Sequence, residues 1–194
     1  IYTETGHNTY FVSGMNFDDI TDVEVLSEYN GLPVSMISSN AFTGNKMIEN
    51  VFIPDSVTEI ARGSFYECDN IKSMNLPFVG TKKDEKQDSI SGYCLGSIFA
   101  LYGTCGYSGN DNKYLPKSLT KVTIRGGSEI KGFSRCYYLK DIEILCNPDQ
   151  ISMGCFEGCT SLERIILPYV GESKNVVDNE YTRAYFGHIF GSYI

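Results

Sequence analysis

The chain has 194 residues, enough for one ordinary domain or a short repeat array, and an apolar share of 42% that can build a packed core. A formal net charge of −8 and a pI near 4.8 argue against a nucleic-acid or anionic-membrane partner, because either needs a basic face. No apolar run approaches the roughly 18 residues of a membrane span, so direct membrane insertion is not expected. No basic-then-apolar leader opens the chain, but it starts at Ile1 rather than Met, and a processed product or an excised segment is expected.

In chain order, residues 1–40 read as an N-terminal capping segment. Tyr10-Phe11-Val12 and Val23-Glu24-Val25 are short strand-like pieces suited to covering a first coil. From residue 41 a period takes over. Phe42 and Phe65 are 23 residues apart, and so are Phe133 and Phe156. Three places after these rings come Asn45, Cys68, Cys136 and Cys159, and six places after come Ile48, Ile71, Leu139 and Leu162. The pairs Val51/Ile53, Met74/Leu76, Ile142/Ile144 and Ile165/Leu167 then alternate with other residues, the period of a short strand. Pro54, Pro77 and Pro168 follow and end those strands.

The array is expected to run over 41–171 and to carry one long insertion, about 81–113, which starts Lys82-Lys83-Asp84-Glu85-Lys86. A longer period contains the shorter one. Leu76-Pro77-Phe78-Val79-Gly80 and Gly96-Ser97-Ile98-Phe99 match Leu167-Pro168-Tyr169-Val170-Gly171 and Gly187-His188-Ile189-Phe190 at a single offset of 91. Residues 172–194 thus repeat the start of the insertion, and an array breaking off after half a super-repeat is expected to continue or to have been trimmed. A 23-residue coil cannot bury its own apolar face, but stacked coils share a core. The expected fold is a repeat solenoid of the leucine-rich type: coils of about 23 residues, short parallel strands, mostly β and loop, with Phe42, Phe65, Phe133, Phe156, Cys68, Cys136 and Cys159 as structural ladders inside.

The template, from Ala41-Phe42 through Ile53-Pro54-Asp55-Ser56-Val57-Thr58-Glu59-Ile60 and again from Cys155 to Pro168, resembles the BspA-like leucine-rich repeats. Tyr29-Asn30-Gly31-Leu32-Pro33-Val34 is similar to the entry segment of such arrays. The resemblance covers roughly 20–171. It departs at Ala61, which stands for the usual Gly, at Asn45, which stands for Cys, and in the shortened stretch from Ile124 to Phe133. It implies a bacterial surface or secreted protein that contacts host proteins or other cells. The alternative is a structural spacer or self-associating segment of a larger surface protein.

Catalytic chemistry finds little support. The seven cysteines are an odd number, the three at repeat positions read as buried thiols, and Cys155-x-x-x-Cys159 lacks a nearby His for a metal site. Cys94 and Cys105 flank part of the insertion and can pair in an oxidising compartment. His7 lies in the N-terminal stretch, while His188 takes the place of Ser97 and reads as surface filler rather than a base. Asp18, Asp19 and Asp22 lack the Gly-punctuated calcium loop, and Lys82 to Lys86 read as a solvated charged loop. No cofactor is expected.

A surface remains. Phe52, Asn75, Thr123, Glu143 and Ile166 are expected to point outward between the inward aliphatics, flanked by Asn50, Ser73, Lys121, Asp141 and Arg164. Lys121 and Arg164 complete the candidate partner-binding face. Phe52 and Ile166 then either mark a protein contact or are shielded by neighbouring loops. Tyr93, Phe99, Tyr102, Tyr107 and Tyr114 form a second candidate patch. The expected partner is a protein, and the oligomeric state stays open.

Overall fold

The computed structural model describes residues 1–15, 19–84, 94–101, 107–108, 113–175 and 185–191, with backbone only at 107–108 and 113–114. The chain is a β-solenoid. Asp22–Glu24, Asn50–Phe52, Ser73–Leu76, Lys121–Ile124, Asp141–Ile144 and Arg164–Ile166 lie side by side in chain order as a six-stranded sheet. Every pairing in it is parallel. The register aligns Val23, Val51, Met74, Val122, Ile142 and Ile165 in one row that turns toward the interior. Ile53, Leu76, Ile124 and Ile144 also turn inward and are at most 2% exposed. Strand alternation explains this, because successive side chains point to opposite faces and only one face has a core to enter.

A second side of the coil carries shorter parallel pairings, with Leu32–Ile37 between Tyr10–Val12 and Glu59–Ile60, and Glu129–Ile130 beside Gln150–Ile151. At the N-terminal end Tyr2–Glu4 lies antiparallel against Tyr10–Val12. Glu28–Tyr29 folds back onto Leu32-Pro33 through Asn30-Gly31. Both turn residues have positive φ (50° and 78°), the mirror-image turn that matches the strand twist and that Asn-Gly adopts readily.

The phenylalanines form the spine. Phe42 and Phe65 stack with ring centroids 4.9 Å apart, and Phe133 and Phe156 are 5.5 Å apart. Two five-residue 3-10 helices, Leu95–Phe99 and Phe186–Phe190, extend it. Phe99 lies 6.2 Å from Phe65, and Phe190 lies 6.1 Å from Phe156. The backbone repeats the relation: Phe42 N–H donates to Ser64 O, Phe65 N–H to Ile98 O, and Phe156 N–H to Ile189 O, all at 2.8–2.9 Å. The stretches related by the 91-residue offset are therefore equivalent rungs. That places Phe99 in the core at 5% exposure rather than on a surface patch with the insertion's tyrosines. Tyr93, Tyr102 and the side chains of Tyr107 and Tyr114 lie outside the described residues.

Candidate functional site

The outward face of the six-stranded sheet is built of two rows, set by the same alternation that buries the aliphatics. One row runs Asp22, Asn50, Ser73, Lys121, Asp141, Arg164, and the other runs Glu24, Phe52, Asn75, Thr123, Glu143, Ile166. Neighbours within a row sit one strand apart, close enough for cross-strand side-chain bonds.

The first row is tied almost end to end. Ser73 Oγ donates to Asn50 Oδ1 and Asn50 Nδ2 donates to Asp22 Oδ1, each at 2.7 Å. Further along, Arg164 holds Asp141 at 2.8 Å and crosses to Glu143 of the second row at 2.6 Å. Lys121 reaches Glu143 at 3.2 Å and Asp141 at 3.5 Å. Thr123 Oγ1 donates to Glu143 Oε2 at 3.1 Å, which leaves Thr123 only 6% exposed on a face where the alternation alone would present it to solvent.

Glu143 is the hub. The Arg164 guanidinium, helped by Lys121 and Thr123, holds its carboxyl down at about 2, against an ordinary 4.5. A depressed folded value means that the stabilisation is complete above 4.5 and disappears as pH falls through about 2. Solvent screening at a sheet surface keeps the effect near ~1 kcal/mol. Wild type should thus lose about that much more stability than Glu143→Gln between pH 4.5 and 2, with a smaller difference at high salt. Urea unfolding at stepped pH measures this, and parallel pH profiles for the two proteins would refute it.

Phe52 does not stand uncovered. The Arg125 guanidinium lies over its ring at 4.5 Å to the centroid and is itself held by Asp55 at 2.8 Å and by Asn75. Arg125 comes from two strands away, directly after Ile124, and its side chain folds back along the sheet. Of the two alternatives, contact or shielding, Phe52 is shielded, by a strand-end side chain rather than a loop, and the cause is the favourable seat of a flat cation on an aromatic face. Ile166 remains 37% exposed because Arg164–Ile166 is the last strand of the sheet. The two residues occupy opposite halves of the face with polar groups between them, so they do not form one apolar patch.

The cysteines sit inside. Cys68, Cys136, Cys155 and Cys159 are all under 9% exposed. Burial pushes the Cys68 thiol up to about 11 and raises Cys136 and Cys155 as well. Cys68 Sγ–H donates to Phe42 O at 2.9 Å, and Cys159 Sγ–H to Phe133 O at 3.2 Å, each to the preceding rung. Asn45, in place of a cysteine, instead accepts from the backbone N–H of Met47 and Ile48. Cys94 is disulfide-bonded. Cys105, with which the sequence would pair it, lies outside the described residues.

His188 is not surface filler. At 1% exposure it lies within the helix Phe186–Phe190, where its carbonyl accepts from Gly154 N–H as that of Ser97 accepts from Gly63 N–H. Equivalence to Ser97 signalled a shared rung position; reading it as a surface position was the error. His7 is exposed. Lys82 pairs with Glu59 at 3.5 Å, and Asp84 accepts from Ser128 N–H at 2.8 Å, so this end of the expected charged loop is anchored to the coils. Among the described residues no group of three or more His, Cys, Asp or Glu side chains converges on a metal position, and no helix is long and apolar enough to cross a membrane.

Comparison with known proteins places these features in a family. The BspA type leucine-rich repeat region matches residues 17–94 and 114–178 as six copies. Among solved structures, the leucine-rich repeat protein of T. pallidum (TpLRR) is 20% identical over 86% of this chain and 78% of that one, with a TM-score of 0.40. A leucine-rich repeat protein from Bacteroides ovatus ATCC 8483 is 22% identical over 87% of this chain, with a TM-score of 0.39, and the match spans 51% of that longer chain. No curated protein matches. With the family's repeat covering most of its length, and with coils, strands and rungs recurring at the family's spacing, the chain belongs to the BspA type leucine-rich repeat proteins.

Proposed function

We propose that the chain is a non-catalytic protein-binding module, adhesive in character, in a bacterial surface or secreted protein. One observation carries this reading: the six-stranded sheet presents a continuous outward face whose charged groups are held in place by bonds between neighbouring strands. At about 4.8 Å per strand the face is about 24 Å long, room for an extended segment of about seven residues. Charges fixed before a partner arrives need little further ordering on binding, which favours specific contact. Ile166, exposed beside this network, supplies an apolar group at the rim.

Other observations agree. Buried thiols with raised pKa values are poor nucleophiles, which suits a binding role rather than catalysis. A disulfide at Cys94 suits an oxidising compartment, and so supports secretion or surface display. Ile166→Ser, tested by surface plasmon resonance against a panel of immobilised extracellular-matrix proteins, should weaken binding about fivefold or more while leaving stability within about 0.5 kcal/mol. Unchanged matrix binding together with lost self-association would favour the spacer role instead.

A further inference from the structure

The N-terminal cap carries a second surface of different chemistry. Tyr2 and Tyr29 stack at 4.7 Å, and Tyr10 meets Tyr29 edge-on at 5.1 Å. The cluster is fixed from three sides. Tyr2 and Tyr10 sit on the antiparallel pair Tyr2–Glu4 and Tyr10–Val12, and Tyr29 precedes the Asn30-Gly31 turn. The Tyr2 hydroxyl accepts from Leu26 N–H at 3.0 Å, and the Tyr10 hydroxyl accepts from Asn30 Nδ2 at 3.4 Å. Tyr29 remains 37% exposed and Leu26 49% exposed, so an aromatic and apolar surface faces solvent beside these anchored hydroxyls.

Charge says what suits it. Residues 1–45 contain six acids (Glu4, Asp18, Asp19, Asp22, Glu24 and Glu28) and no Lys or Arg, so this quarter of the chain holds −6 of its −8. Among the described residues every ion pair lies at or beyond Lys46. Glu4 is the direct cross-strand neighbour of Tyr10, which places a carboxylate against the aromatic cluster. Glu24 and Glu28 are exposed on either side of Leu26. A recess of about 220 Å³, walled by Ile1, Tyr2, Met15 and Val23 with Asp22 and Glu24 among its lining, adjoins the same Tyr2 ring.

We propose that this tyrosine cluster and its carboxylates dock a lysine- or arginine-bearing segment of a partner protein. A cation seated against the exposed part of Tyr29 is attracted by the ring's quadrupole, while the carboxylates neutralise its charge at the rim. The long alkyl stem of the same side chain suits the apolar recess. Anchored tyrosines lose little side-chain freedom on binding, which is why such residues dominate interface energetics. This surface meets the sheet face at Asp22 and Glu24 on its first strand, while the cluster's own carboxylates, Glu4 and Glu28, lie off that sheet.

The test uses a fluorescein-labelled alternating Gly/Arg octapeptide and its Gly/Glu counterpart, followed by anisotropy. The Arg peptide should bind saturably and the Glu peptide should not. Tyr29→Leu, which keeps apolar bulk but removes the π face, should weaken binding about fivefold, Tyr29→Phe should retain it, and Glu4→Gln with Glu28→Gln should weaken it to a similar degree. Glu163→Gln, a remote charge control, should leave Arg-peptide binding unchanged. Thermal unfolding by circular dichroism identifies any variant that loses the cap, and Tyr29→Phe then carries the comparison with the carboxylate variants. Equal losses for Glu163→Gln and the cap carboxylates would reduce the effect to diffuse attraction and overturn the proposal. Indifference to Tyr29→Leu would also overturn it, as would a wild-type dimer that Tyr29→Leu dissolves, since a second copy would then be the occupant.

Discussion

Phe65→Ala is expected to cost about 3–5 kcal/mol of folding stability, the largest effect of any single truncation considered for this chain. Phe65 is fully buried and touches both neighbours in the ring column, Phe42 on one side and Phe99 on the other. Removing it therefore opens a cavity between two rungs that cannot collapse without breaking the Phe42 N–H to Ser64 O and Phe65 N–H to Ile98 O bonds. In a stacked array each rung leans only on its neighbours, so the loss is not spread over the molecule. At about 2–4 °C per kcal/mol for a chain of this size, the melting temperature should fall by about 10 °C. Phe186, 50% exposed at the start of the second 3-10 helix, is the internal control, and its replacement by Ala should cost less than about 1 kcal/mol. Urea unfolding of both variants decides the matter, and equal losses would mean that the column is not the spine of the fold.

The second large effect is expected at Gly126. A Cβ there would sit 2.6 Å from the carbonyl oxygen of Pro77 in the adjacent coil, a contact that only a backbone shift can relieve. Gly126→Ala should cost about 1–3 kcal/mol, typical of overpacking against a rigid neighbour. Gly14→Ala is the matched control, because its Cβ would find only ordinary contacts at 3.8 and 3.9 Å and should change stability by less than about 0.5 kcal/mol. Comparable losses in the two variants would remove the close approach as the cause.

The same glycine shows where sequence reading runs out. The spacing of Phe42, Phe65, Phe133 and Phe156 made the coil length legible, and the alternation of Val51/Ile53 and Ile142/Ile144 identified the inward face. Both follow from local periodicity. The shortened stretch from Ile124 to Phe133 was visible too, but not the close approach within it: Gly126 passes the Pro77 carbonyl of the previous coil, and Gly127, at φ +111°, turns the chain immediately afterwards. That is a contact between residues about fifty apart, and spacing within one coil carries no trace of it. The outward face was legible as positions but not as contacts. Arg125 lies outside both outward rows, so nothing in the alternation announced that it would fold back over Phe52. The rung role of Phe99 and Phe190 was present in the 91-residue offset, yet it was obscured because those rungs are short helices rather than turns of the common template.

The thiol-to-carbonyl bonds give the stack a polarity. Cys68 donates backward to the rung of Phe42 and Cys159 to the rung of Phe133, so each of these two rungs leans on a carbonyl of the one before it. At the rung of Phe42, where the ring column begins, Asn45 satisfies its own turn and makes no such backward demand. New rungs can therefore be grafted behind existing ones with the cysteine template unchanged. A rung added ahead of Phe42 would meet no thiol donor at position 45, since Asn45 spends its side-chain oxygen on the Met47 and Ile48 N–H groups of its own turn.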